Sequence, residues 1–228
     1  MSSMVAGLRE NRAARFWEST NGKKVVMAIT GAIMFLFVIG HLIGNLQIYE
    51  GPGPYNAYAK LLRVEPLLLW VVRLILIAAV ILHMIASLQL ALRKSSARPV
   101  GYAKKESIAS SYASRTMYWS GPIILAFLIF HLLHLTAGVI EPQLFHEGDV
   151  YGNVVAGFQI PYISAWYIFS MVLLGLHLRH GVWSMFQSVG FNHPRHTPIL
   201  KKTAFVFAWA ITLGYISIPV AVLAGWVK

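Results

Sequence analysis

Five stretches of this chain, roughly residues 24–48, 66–92, 117–140, 162–189 and 203–226, stay apolar long enough to cross a bilayer as helices at about 1.5 Å per residue. A membrane barrel would alternate polar and apolar residues, and these runs do not. With 57% hydrophobic residues and a mean hydropathy of +0.62, the chain holds more apolar side chain than a soluble domain of 228 residues can bury. The expectation is an all-α integral membrane protein, a five-transmembrane-helix bundle over 24–228 behind a basic N-terminal arm over 1–23. The first stretch does not read as a cleavable signal peptide. Its apolar core is too long, a polar arm precedes it and no A-x-A site follows.

Basic residues are sorted by side. Fourteen of the 19 Lys and Arg fall in the arm (Arg9, Arg12, Arg15, Lys23, Lys24), in the second-to-third connection (Arg93, Lys94, Arg98, Lys104, Lys105, Arg115) and in the fourth-to-fifth (Arg195, Lys201, Lys202). The other side has Lys60, Arg63 and Lys228, and the third-to-fourth connection carries Glu141, Glu147 and Asp149 without any Lys or Arg. The positive-inside rule therefore expects a cytoplasmic N-terminus, a C-terminus outside and a place in the cell membrane as a multi-pass protein. Net charge of +11 is then mostly topology. No compact basic domain exists to hold nucleic acid.

Cysteine is absent, which excludes thiolate-held iron–sulfur clusters, covalent haem through C-x-x-C-H and disulfides within this chain. The eight carboxylates all lie outside the apolar cores or at their edges, so no ferritin-like di-iron site has its ligands.

Histidine is what the cores do contain. His41, His83, His131 and His177 each sit among apolar neighbours in four different stretches. An imidazole is expensive to hide from water unless something takes up its lone pair, and four in one small chain point to metal, best met by haem iron. Helix rise puts His41 about 25 Å from Lys24 and His131 about 24 Å from Arg115, against about 15 Å from Arg93 for His83 and about 20 Å from Gly190 for His177. Depth thus sorts them into an outer pair, His41 with His131, and an inner pair, His83 with His177: two non-covalent haem b groups stacked across the bilayer. His134 and His180 follow two of these ligands by three residues on nearly the same face, so either can replace its neighbour or contact a propionate or a quinone. Gly40 and Gly44 flank His41, as a flat macrocycle or ordinary helix packing would require. Arg73 and Arg179 lie within spans that have no carboxylate at their depth, and haem propionates would supply the anion. For Arg73, snorkelling to the surface is the other reading.

The segments GHLIGN at 40–45, LHMIAS at 82–87, SGPIILAFLIFH at 120–131 and HLRHGVWSMFQSVG at 177–190 resemble those of the five-helix, di-haem cytochrome b subunit of succinate:quinone oxidoreductases and fumarate reductases. The resemblance runs from about Gly22 to Trp226. In that family a ligand follows the span-three glycine, here Gly121, by ten residues, which selects His131 over His134; another precedes the G-x-W-S segment by four, which selects His177 over His180. The resemblance implies a membrane anchor that binds menaquinone or another quinone, with a flavoprotein and an iron–sulfur protein docked on the cytoplasmic side; the wider family also forms higher oligomers of the complex. This chain itself would hold no dicarboxylate site. Some members carry a proton-conducting glutamate two residues before the span-four ligand, and here that position is Gly175. The family also links a glutamate near the start of span two to quinol at the outer face, which makes Glu65 the candidate for proton exchange with quinone. A helix-start acid that merely favours the positive helix end is the alternative.

Two rivals belong to other classes. A bc-type cytochrome places two ligands on one helix about fourteen residues apart, about 20 Å along the axis, and no stretch here does. A histidine-lined metal or proton transporter would suit the His-x-x-His spacings at 131–134 and 177–180, but neither broken helices nor internal repeats accompany them.

Overall fold

The computed structural model describes residues 12–97 and 112–228, and among them the regular elements are all helical. In chain order they are α1 (Arg12–Glu18), α2 (Thr20–Leu46), α3 (Pro52–Leu61), α4 (Pro66–Ser96), α5 (Tyr112–Leu135), α6 (Val150–Phe158), α7 (Pro161–Ser188) and α8 (Thr197–Leu223), with short 3-10 turns at Gln47–Glu50 and Pro142–Leu144. Arg9, Glu10, Arg98, Lys104, Lys105 and Glu106 lie outside the described residues. Five helices, α2, α4, α5, α7 and α8, are long and apolar enough to cross a membrane.

Local chemistry sets their ends. Ser19 caps α2 by accepting from the Gly22 amide at 2.8 Å, so the helix starts at Thr20 and draws the end of the basic arm into the first span. Lys23 is consequently buried; its Nζ donates to the Trp17 carbonyl at 2.5 Å and lies 4.7 Å from the Trp17 ring centroid. Proline opens α3, α4 and α7, where its missing N–H is not needed. α5 stops at Leu135, short of the expected 140, because Gly138 turns the chain at φ 61° and the Phe145 ring folds against it.

α7 is the centre of the bundle, packed against α8, α5 and α2, while α4 leans on α2. The α7–α8 contact is close because Gly175 has no side chain where Thr212 of α8 sits. Thr212 is itself buried, its hydroxyl donating back to the Ala208 carbonyl at 2.8 Å. α4 instead turns large apolar side chains outward, with Leu67 78% and Leu88 60% exposed, as a lipid-facing helix does.

The bundle has two unlike ends. At the basic end, Lys94 of α4 lies over Tyr118 of α5 and Lys201 of α8 over Trp183 of α7. The opposite end is capped by α3, α6 and the chain's last residues. There Asn56 donates to Asp149 at 2.9 Å and accepts from the Tyr151 amide at 2.9 Å, and the Tyr151 hydroxyl donates to the Lys228 carbonyl at 3.0 Å. Tyr55 gives its proton to Asn45 at 2.8 Å, and burial followed by the neighbouring Tyr58 pushes its hydroxyl up to about 12.

Asp149 is the N-cap of α6, accepting from the Gly152 amide at 3.0 Å. That amide, and then the Asn56 side chain, hold its carboxyl below the usual carboxylate range. Asp149→Ala is expected to cost about 1 kcal/mol in thermal unfolding at pH 7. Because the folded-state pKa is depressed, the stabilisation is present above about pH 4, the unfolded value, and is lost as pH falls below it through the folded-state value, so parent and variant converge in acid.

Candidate functional site

The four core histidines meet in two pairs. The rings of His41 (α2) and His131 (α5) stand 5.9 Å apart between centroids at 80°, and those of His83 (α4) and His177 (α7) stand 6.3 Å apart at 49°. Neither pair joins two of the closely packed helices, since α4 rests on α2 and α5 on α7. Each pair of rings therefore closes a space between backbones that stay apart.

Hydrogen bonds from the pairs to neighbouring helices give the two levels. His83 meets Thr30 of α2 through Nδ1 at 3.1 Å, and His41 lies eleven residues further along α2, about 16 Å by helix rise. On the other side, His131 meets Tyr167 of α7 at 3.2 Å, and His177 lies ten residues further along α7, about 15 Å. The two independent measures agree.

The surroundings of Thr30 favour one tautomer of His83. The Thr30 hydroxyl already donates to the Val26 carbonyl at 2.7 Å, so toward His83 it acts as acceptor. His83 Nδ1 therefore carries the hydrogen and Nε2 keeps its lone pair, the state of a metal-ligating imidazole oriented through its other nitrogen. His177 Nδ1 is buried without a hydrogen-bond partner. His41 stacks on Phe37 at 5.3 Å and is flanked by Tyr215, whose hydroxyl is spent on the Val38 carbonyl at 2.8 Å.

These residues fit a haem. With metal–nitrogen bonds of about 2.0 Å and a ring centroid about 1.1 Å behind each nitrogen, two imidazoles that share one metal would have centroids up to about 6.2 Å apart. Both observed separations, 5.9 and 6.3 Å, are of that size. The donor set is neutral imidazole throughout, with no cysteine in the chain to compete.

The other sequence candidates are placed as follows. His134 is 4% exposed, with Nδ1 at 3.0 Å from the Tyr167 hydroxyl and its far edge against Gly157 of α6, where a Cβ would come within 2.5 Å of Nε2. His180 is half-buried one turn beyond His177. Arg179 lies over Phe205 of α8 at 5.1 Å, and Arg73 over Trp70 of its own helix at 5.1 Å. The Glu65 side chain is exposed, and its backbone carbonyl accepts from Leu69 at the start of α4. Gly44 makes room for the Tyr58 ring of α3, so its small size serves helix packing; Gly40 faces open space.

Three participants escaped the sequence reading. Thr30 and Tyr167 are ordinary helix residues until the fold brings them to a histidine. Glu141 accepts from the Tyr162 hydroxyl and from Gln143 at 2.5 Å. Those two donors, Tyr162 first, keep its carboxyl below the usual range. A non-glycine residue at φ 52° was the structural sign of its special position, and sequence gives no warning of that. Comparison with protein-family models, curated proteins and solved structures finds no match to this chain.

Proposed function

We propose that the chain is the di-haem cytochrome b membrane anchor of a succinate:quinone oxidoreductase, carrying electrons between a cytoplasmic iron–sulfur subunit and menaquinone or another quinone. The observation that carries this reading is the pair of facing imidazole couples, about 15 Å apart along helices whose lipid-spanning part is about 30 Å long. Haem iron bound there would supply a one-electron couple at each level. His41 and His131 would hold one group and His83 and His177 the other. Thr30 and Tyr167 orient two of the four rings, and Arg73 and Arg179 are the cations available to propionates. The basic end would face the cytoplasm, by the charge sorting of the connections, and would carry the flavoprotein and iron–sulfur partners. The pair His41–His131 then lies toward the outer, capped end.

A visible spectrum of the purified protein tests the assignment: two b-type components support it. A protein without haem bands would sink it and return attention to a histidine-lined metal or proton pathway.

Two haem levels are useful where electrons are needed at the far side, which puts the quinone reaction near the His41–His131 pair and makes Glu65 its candidate proton-exchanging acid. Glu65→Gln is expected to leave both haem signals and dye-linked dicarboxylate turnover of the complex intact while reducing quinone-linked turnover severely. Unchanged quinone turnover would remove Glu65 from the mechanism and shift the search to the basic end around Arg179 and His180.

A further inference from the structure

Tyr167 of α7 is a buried phenol held on several sides. It is 6% exposed, and its ring is clamped edge-on by Phe127 at 5.0 Å and Phe158 at 4.8 Å. Its hydroxyl nevertheless lies within reach of two ring nitrogens, His131 Nδ1 at 3.2 Å and His134 Nδ1 at 3.0 Å. A phenol has one hydrogen to give, so at least one of these histidines must be the donor.

We infer that Tyr167 is a positioning residue of the His41–His131 site, its hydroxyl accepting from His131 Nδ1–H and donating to His134 Nδ1. The inference rests on the proposed haem ligation. If His131 offers Nε2 to iron, its only hydrogen is on Nδ1, and that hydrogen must go to the Tyr167 oxygen. The phenolic hydrogen is then left for His134, whose own hydrogen sits on Nε2. Gly157 is what lets that edge of the ring lie against α6. The chain of bonds runs one way, from His131 through Tyr167 to His134, and gives the buried, non-ligating His134 a role as terminal acceptor.

The two haem levels are thus served by different devices. At the His83 level the ring's hydrogen goes to a threonine hydroxyl whose own hydrogen is spent on a backbone carbonyl. At the His131 level it goes to a phenol backed by a second imidazole. An acceptor on Nδ1–H makes the ligating nitrogen a better electron donor and favours ferric iron, so removing it should raise the reduction potential of that site alone.

The experiment is a redox titration, followed by visible absorption, of the intact complex carrying Tyr167→Phe or His134→Ala, with the His41–His131 component assigned by its loss in His131→Ala. Tyr167→Phe is expected to favour reduction of that component about tenfold, an upward shift of about 59 mV for one electron, with the His83–His177 component unmoved. His134→Ala keeps the acceptor on Tyr167 and is expected to give a smaller shift of the same sign, which preserves the test if the phenylalanine variant fails to assemble. Two haems with unmoved potentials in the variants, or both components shifting equally, would overturn the inference while leaving the haem assignment standing. An unaltered protein without haem would defeat that assignment itself.

Discussion

In His131→Ala, the reduced-minus-oxidised spectrum is expected to lose one of two b-type components and keep the other, and His41→Ala should lose the same one. The reason is that the two rings lie 5.9 Å apart, across helices that do not pack closely, and in the proposed assignment would hold one iron between them. His83→Ala and His177→Ala should instead remove the second component, since those rings meet 6.3 Å apart about 15 Å away along the bundle. Removing one imidazole also leaves its partner as a buried polar group without its mate, at a cost of about 1–3 kcal/mol, so some loss of yield should accompany each variant. Full retention of both components in any one variant would refute that residue as a ligand. If His134→Ala or His180→Ala lost a component while the neighbour at 131 or 177 kept it, the ligand on that helix would be the later histidine.

Gly175→Val is expected to destabilise the bundle through the α7–α8 contact. A Cβ at this position would run into the Thr212 side chain, which is 1% exposed and has no free space to enter. α7 and α8 form the bundle's main helix pair, so they must separate or tilt to make room. Overpacking of that kind costs about 1–3 kcal/mol, read as a fall of several degrees in thermal unfolding in detergent. Gly175→Ala should lie between. Thr212→Ala, by removing the hydroxyl that the new Cβ would meet, should restore part of the loss in the double variant, and strict additivity of the two substitutions would show that they are not in contact. The same crowding explains why a glutamate has no place here: a carboxylate on this face would have to displace the buried α7–α8 contact.

Class and span number were legible because bilayer thickness converts directly into a length of apolar sequence, and nothing else in the chain competes for that signal. The spans read from composition lie within a few residues of α2, α4, α5, α7 and α8. The largest difference is at the start of α8, Thr197 against an expected 203; α5 ends at Leu135 against 140, where Gly138 turns the chain, and α2 starts at Thr20 against 24, where Ser19 caps it. The grouping of the histidines could be reasoned from order and direction along the chain, since helix rise is fixed and successive spans must alternate.

What sequence could not supply were relations across helices. α3 and α6 are too short to stand out, and their place at the capped end depends on partners of Tyr55, Tyr151 and Asp149 that lie elsewhere in the chain. Gly44 read either as clearance for a macrocycle or as ordinary helix packing, and it is clearance for Tyr58. Thr30 and Tyr167 carry no motif, because a hydroxyl becomes an orienting group only when another helix delivers an imidazole nitrogen to about 3 Å from it. Sequence alone determined which side chains were available at which depth, because that follows from one-dimensional rise. Only the tertiary structure decided which of them share a hydrogen, because that depends on the rotation and spacing of separate helices, which no periodicity in one chain records.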